Sequence, residues 1–161
     1  MIGGMSKQAP TEQHPENGYL TPSWLVDRIR KDVFGGVIEL DPCTTQSNPV
    51  NALTFIAPPE DGILSDWHGW NIYVNPPYGR TIAKWIEKAL MYSRAERRVV
   101  LLVPARTDSR WFQELLNYKC ELLLFKGRLS FSSGPAPFPS ALFAFNCSLG
   151  GMMDLGARVI R

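Results

Sequence analysis

Apolar residues recur along the first part of this chain at the spacing of an amphipathic helix. The apolar stripe consists of Leu25, Val26, Ile29 and Val33. A helix is predicted to begin at Thr21-Pro22, because threonine can cap free amides and proline suits the first helical position. Gly35-Gly36 is predicted to end this helix.

Farther along the chain, short apolar runs alternate with amphipathic ones. The runs that predict strands are residues 37–41, 53–56, 71–74, 98–103 and 121–125. Helical stripes begin near Thr81 and Asp108, so strands and helices alternate, which is typical of a mostly parallel sheet covered by helices on both faces. Residues 129–132 and 141–146 predict two further strands joined by a Pro/Gly-rich loop, a C-terminal antiparallel hairpin. The fold class is therefore α/β.

Composition narrows the class of protein. The chain has 161 residues, 45% of them hydrophobic, which suits one domain with a buried core. Residues 1–18 show no hydrophobic period and are interpreted as a flexible lead-in to a single domain over 19–161. No apolar run approaches the roughly 20 residues of a membrane span, and the polar N-terminus lacks a signal core. Three separated cysteines and two histidines do not make a structural zinc site.

Two predicted strands end in polar turns that contain proline. Ligands of parallel sheets lie outside the carboxyl ends of the strands, where Asp41-Pro42-Cys43 and Asn75-Pro76-Pro77-Tyr78 are found. In the second turn, the prolines supply carbonyls without amide donors, and Asn75 adds a side-chain acceptor. Together with the Tyr78 ring, these groups suit an exocyclic amine on a flat base, held with its lone pair toward an electrophile. The alternative is that these residues merely end a strand.

At this point the chain resembles a known family, the bacteriophage and prophage DNA N-6-adenine methyltransferases (Dam). The matching segments, in order, are residues 19–22, 40–43, 61–64 with Asp66-Trp67, 74–79, 102–107 with Trp111-Phe112, 127–131 and 137–142. The resemblance implies a compact Rossmann-like methyltransferase fold that uses S-adenosylmethionine to methylate the N6 amine of adenine in DNA. It also implies that Asn75, Pro76, Pro77 and Tyr78 are the catalytic residues.

The resemblance further implies a set of binding residues. The cofactor candidates are Tyr19, Thr21, Asp41, Cys43, Asp61, Asp66 and Asn75. Asp41 would face the ammonium or ribose hydroxyls of S-adenosylmethionine and Thr21 its methionine end, while Asp61, with Asp66 as the rival, would take the adenine amine. The substrate candidates are Tyr78, Arg80, Arg106, Arg128, Phe138 and Ser140. No metal ligand is expected.

Charge bears on the DNA partner. The 17 basic and 15 acidic residues leave a net charge of +2, so DNA affinity is expected to be weak and salt-sensitive. No segment resembles a separate target-recognition domain, so specificity is expected from loops at residues 42–70, 104–110 and 126–140 or from a protein partner. The expected location is the cytoplasm of a bacterial host, with a phage or prophage gene and no membrane association.

The chain departs from many methyltransferases in two respects. First, it has no Gly-x-Gly loop after Asp41. Because the dinucleotide motif is absent, an NAD-binding interpretation also fails. Second, only 33 residues separate Asp41 from Asn75, so a trimmed sheet is expected there. The same chemistry on cytosine N4, RNA adenine or a protein glutamine stays open, as does a non-catalytic phage module that binds nucleic acid or the cofactor.

Overall fold

A computed structural model describes residues 19–161, so the lead-in expected at 1–18 lies outside the described residues. Its strands are β1 Leu40–Asp41, β2 Thr54–Phe55, β3 Asn71–Val74, β4 Arg98–Pro104, β5 Glu121–Phe125, β6 Ser130–Phe131, β7 Gly134–Pro135, β8 Ser140–Phe145 and β9 Gly156–Ile160. Its helices are α1 Ser23–Arg28, continued by a π-helical turn Ile29–Val33, then α2 Ile82–Arg94, α3 Arg110–Leu115 and a 3-10 helix Gly150–Leu155.

One seven-stranded sheet in the order β2-β1-β3-β4-β8-β5-β9 organises the described chain. Strands β2, β1, β3 and β4 are parallel to one another. Strand β8 is antiparallel to both β4 and β5, so β5 runs in the direction of β4, and only β8 and β9 are reversed. The predicted mostly parallel α/β sheet is confirmed.

The centre of the sheet is covered on both faces. Val99–Val103 of β4 are fully buried, and successive strand residues point to opposite faces. The helices form two packed groups, since α2 contacts α3 and the π-helical turn contacts the 3-10 helix.

The C-terminal hairpin is present but is built from other residues than expected. Strand β6 pairs with β7, whereas β8 inserts between β4 and β5. All six residues of β8 are buried, so this apolar strand gains more by entering the sheet centre than by pairing with the short, partly exposed β6. The edge strand β9 was not predicted, because its largely exposed residues lack a buried stripe.

The start of α1 corrects one sequence expectation. Pro22 occupies the cap position, no side chain caps the helix, and the hydroxyl of Thr21 bonds to Tyr73 instead. The predicted end is confirmed, because the helix stops before Gly35 and Gly36, which adopt φ of 75° and 128°.

Between β1 and β3 the expected trimming is confirmed. Within residues 42–70, the described chain forms only the two-residue strand β2 and no helix. This stretch of loops lies directly beside the ends of β1 and β3, where it can wall a cavity.

No helix in residues 19–161 has the length and apolar character needed to cross a membrane. Cys43, Cys120 and Cys147 are free thiols, and no cluster of metal-ligating side chains occurs in this part of the chain.

Candidate active site

The sheet topology brings the two proline-containing turns together. Strands β1 and β3 are parallel neighbours, with Leu40 opposite Ile72. Asp41 and Asn75 therefore leave the same edge of the sheet, and both line one small crevice together with Thr21. The structure thus unites residues that the sequence places in separate turns.

Asn75 is almost fully buried and all of its amide is engaged. Its Nδ2 donates to the carbonyl oxygen of Tyr19 at 2.7 Å and to Oγ1 of Thr21 at 3.1 Å. Its Oδ1 accepts a hydrogen bond from the hydroxyl of Tyr78 at 2.8 Å. One of the two lone pairs of the side-chain acceptor proposed for a substrate amine is therefore engaged by the chain's own tyrosine.

Tyr78 belongs to an aromatic cluster that covers the turn, made of Tyr19, Tyr78, Phe131 and Phe138. The Tyr78 ring lies 5.5 Å from the Phe138 ring and 5.6 Å from the Tyr19 ring, centroid to centroid. Tyr78 is only 8% exposed, and burial raises the pKa of its hydroxyl. A flat base can reach Asn75 only if these rings separate.

Beside the turn lies a cavity of about 290 Å³. Its lining comes from the turns after β1 and β3, the loop before β3 and helix α2. The lining residues are Pro42, Cys43, Ile56, Pro58, Pro59, Glu60, Asp61, Gly62, Ile63, Pro77, Thr81 and Trp85. Flat apolar walls and an acidic rim suit a ligand that is part aromatic and part cationic.

Gly62 permits the close wall of this cavity. A Cβ atom at this position would lie 2.0 Å from the carbonyl oxygen of Pro42 and 2.7 Å from the Trp85 ring. The loop before β3 can approach the turn after β1 only because residue 62 has no side chain.

Asp41 is buried and carries an unusual carboxyl group. Its Oδ1 accepts from the backbone amide of Cys43 at 3.1 Å, and the side chain also bonds to Thr44. Burial raises the pKa of Asp41 to about 7, in spite of these hydrogen bonds. Burial likewise raises the pKa of the Cys43 thiol, which therefore stays protonated.

Asp61 and Asp66, the two candidates for binding the adenine amine of the cofactor, occupy different places. Asp61 lines the cavity, and its Oδ1 accepts from the amide of Ile63 at 2.8 Å. Asp66 is exposed and is not among the cavity-lining residues. Glu60 also lines the cavity and was missed, because a lone exposed glutamate beside prolines has no distinguishing sequence pattern.

Four arginines stand at the same edge of the sheet. Arg80 follows β3, Arg106 and Arg110 follow β4, and Arg128 follows β5, and these three strands run in one direction. All four are exposed and none has a hydrogen-bond or ion-pair partner for its side chain within residues 19–161.

Every other arginine of the described chain is engaged. The partners are Asp32 and Asp154 for Arg28, Asp27 for Arg30, Tyr118 for Arg94, Gly69 for Arg97, Asn71 for Arg98, Glu121 for Arg158 and Leu116 for Arg161. Within residues 19–161, the arginine side chains that have neither a hydrogen-bond nor an ion-pair partner are therefore confined to the edge that carries Asn75.

The remaining substrate candidates also lie at this edge. Ser140 begins β8 opposite Pro104, the last residue of β4, and its buried hydroxyl has no hydrogen-bond partner in the described chain. Phe138 stacks on Tyr19 with ring centroids 5.7 Å apart. Tyr19 thus packs with the aromatic cluster and is absent from the cavity lining, although it was expected beside the cofactor.

Comparisons with known proteins agree with this geometry. A family model described as DNA N-6-adenine-methyltransferase (Dam) matches residues 8–142. A protein of Haemophilus phage HP1 (strain HP1c1) named DNA N-6-adenine-methyltransferase is 24% identical over 111 residues. This alignment covers 67% of the chain and 61% of the phage protein, so the chain spans less than two thirds of that relative. No solved structure matches the chain significantly.

Proposed function

We propose that this chain, which belongs to the DNA N-6-adenine-methyltransferase (Dam) family, methylates the exocyclic N6 amine of adenine in DNA. The observation that carries the proposal is the buried Asn75 amide beside an acid-rimmed cavity. A reaction on DNA belongs in the cytoplasm of a bacterial host, and the phage relative supports such an origin.

The cavity and its neighbouring crevice offer groups that suit S-adenosylmethionine. Trp85, Ile56 and Pro58 offer apolar walls for an adenine ring, and Asp61 and Glu60 offer acceptors for its amine or for ribose hydroxyls. Asp41, Thr21 and Asn75 line the crevice, which shares Cys43 with the cavity and has a volume of about 10 Å³, so it must widen to receive a methionine end. S-adenosylmethionine, when bound, supplies an electrophilic methyl group on a sulfonium.

The chain's own part in the reaction is to hold the amine. Oδ1 of Asn75 and the carbonyl of Pro76 each accept one N–H, which leaves the nitrogen lone pair facing the cofactor cavity. Oδ1 has a second lone pair for the amine, so Tyr78 can keep or give up its hydrogen bond to Oδ1 as its ring moves. Its ring is then free to stack on the adenine, which reaches the site after leaving the DNA stack.

Side chains of opposite charge suit the two proposed ligands, the cationic cofactor and DNA. The acidic residues Asp41, Glu60 and Asp61 line the cofactor side, where they favour a cation. The unpaired Arg80, Arg106, Arg110 and Arg128 follow the carboxyl ends of β3, β4 and β5, where they favour phosphates. Such a division is expected of an enzyme that joins a cationic cofactor to a polyanion.

Nucleoside mass spectrometry tests the proposed reaction. DNA from a methylation-free bacterial host that expresses the chain is expected to contain N6-methyladenine, while host RNA and protein gain no methyl groups. N4-methylcytosine, methylated RNA adenine or methylated glutamine instead would identify another acceptor. A folded protein that adds no methyl group to any of these would indicate a non-catalytic module.

The four unpaired arginines predict a salt-dependent DNA affinity. Arg80→Ala, Arg106→Ala and Arg128→Ala are each expected to weaken binding several-fold, and to lower the slope of log affinity against log salt by about 1, because each removes one phosphate contact. Fluorescence anisotropy between 50 and 200 mM salt, concentrations that span roughly the range over which such contacts weaken, measures both effects.

Arg94→Ala is the matched control, since Arg94 is exposed but bonds to Tyr118 at the far end of α2. An unchanged slope in all three variants would remove these arginines from the DNA interface.

A further inference from the structure

The Asn75 amide has one allowed orientation. Nδ2 lies 2.7 Å from the carbonyl oxygen of Tyr19. A main-chain carbonyl can only accept, so a flipped amide would place Oδ1 against another oxygen. The N-terminal segment therefore holds Nδ2 on its own side and leaves Oδ1 facing the Tyr78 hydroxyl.

The Tyr73 hydroxyl also supports this position of the Asn75 amide, through Thr21. Tyr73 and Asn75 are two residues apart in an extended chain, so their side chains lie on the same face. The Tyr73 hydroxyl is 2.5 Å from Oγ1 of Thr21, which in turn accepts from Nδ2 of Asn75. Tyr73 is fully buried, and burial raises the pKa of its hydroxyl, which therefore stays protonated. Tyr73, Thr21, Asn75 and Tyr78 thus form one hydrogen-bonded chain.

Thr21 is held in place from both directions. The next residue, Pro22, occupies the N-cap position of α1. Before it, the Tyr19 ring is packed against Phe131 and Phe138 of the aromatic cluster. The Thr21 hydroxyl takes no part in capping α1, so its hydrogen bonds serve the network around Asn75.

We propose that Tyr73 and Thr21 are positioning residues, which hold the Asn75 amide in place in the orientation that the Tyr19 carbonyl selects, and so aim Oδ1 at the target amine. This inference rests on the proposed function. A flipped amide would present N–H groups to the N–H groups of adenine, which repels the substrate instead of holding it. Tyr73 is a fully buried strand residue, so no sequence pattern marks it as part of the site.

Three substitutions test the network. Tyr73→Phe removes one hydroxyl, and Thr21→Val removes the other at equal size. Each is expected to lower kcat for N6-methyladenine formation about tenfold, as expected when a reacting group is misplaced. Affinity for S-adenosylhomocysteine, measured by calorimetry, is expected to stay within about twofold in Tyr73→Phe, because a positioning role does not require cofactor contact. Thr21 also lines the crevice proposed for the methionine end, so the effect of Thr21→Val is measured as kcat at saturating cofactor. Thr21→Ser keeps the hydroxyl and is expected to recover most of kcat.

Tyr92→Phe is the matched control. The Tyr92 hydroxyl accepts from the backbone amide of Trp67 at 2.7 Å, near the far end of α2. Tyr92→Phe is expected to lower the melting temperature about as much as Tyr73→Phe does, without lowering kcat for N6-methyladenine formation.

The outcomes separate this inference from the proposed function. A wild-type chain that forms no N6-methyladenine contradicts the proposed function. An active wild type with unchanged kcat in Tyr73→Phe and Thr21→Val contradicts the positioning role alone. So does weakened S-adenosylhomocysteine binding with normal kcat in Tyr73→Phe, which would make Tyr73 a cofactor contact, or an equal loss of kcat in Tyr92→Phe.

Discussion

Asn75→Ala is expected to reduce methyl transfer more than about a hundredfold, because the target amine loses its side-chain acceptor and its alignment. The substitution also removes the donor to the Tyr19 carbonyl and leaves the Tyr78 hydroxyl only the Leu102 carbonyl, at 3.5 Å. The expected cost in stability is about 1 to 3 kcal/mol. Radiolabelled methyl transfer to DNA at saturating cofactor, with thermal denaturation on the same samples, measures both.

Asn71→Ala is the matched control on the same strand. The Asn71 amide donates to the carbonyl of Val37 and accepts from Arg98, at the opposite end of β3. A comparable loss of stability with near-normal transfer is expected. If Asn75→Ala transfers methyl groups at the wild-type rate, the assigned role of the turn is wrong.

Asp41→Asn is expected to stabilise the protein while weakening its hold on the cofactor. The pKa of Asp41 is raised from 3.8 to about 7, so the folded state binds more protons than the unfolded state between these values. Stability from this group is therefore lost as pH rises from 4 to 7. Asparagine carries no such penalty, and a gain of at most about 4 kcal/mol is expected well above pH 7 and almost none near pH 4.

Cofactor binding by Asp41→Asn is measured separately from its stability. If the Asp41 carboxylate receives the ammonium or ribose hydroxyls, wild-type affinity for S-adenosylhomocysteine rises with pH through about 7. In Asp41→Asn the affinity is expected to fall roughly 10- to 100-fold and to lose this pH dependence, since a charge-assisted hydrogen bond is gone. Asp66→Asn, altered outside the cavity, is the control. Wild-type affinity in Asp41→Asn would exclude Asp41 from the cofactor site.

The expected fold and the observed fold agree where each element has a strong local pattern. Strands β3 and β5 begin and end at the expected residues, because Asn71–Val74 and Glu121–Phe125 are short apolar runs bounded by turn residues. The pairing of β8 was wrong because the choice between β6 and the sheet centre depends on how much apolar surface each partner buries, and a linear pattern does not contain that quantity.

The candidate site, like the fold, could be predicted from the sequence only where its residues form a local pattern. Asn75, Pro76, Pro77 and Tyr78 are contiguous, and the chemistry proposed for them needs only the groups of one turn, so the order of residues is enough to nominate them. Family resemblance adds Asp41 and Asp61, but nothing in the residue order ranks Asp61 above Asp66. The cavity separates the two, because the loop that carries Asp61 folds over the turn after β1 at Gly62.

Residue order therefore established the α/β class and the candidate family and nominated the Asn75–Tyr78 turn as the catalytic one, since periodicity and contiguous motifs are local properties. Only the packed chain showed that the Asn75 amide is oriented by Tyr19 and Thr21, which lie 56 and 54 positions away. It also showed that four arginines remain unpaired at one edge. The physical reason is that hydrogen-bond partners and unpaired charges are defined by distance in space, which the order of residues alone does not specify.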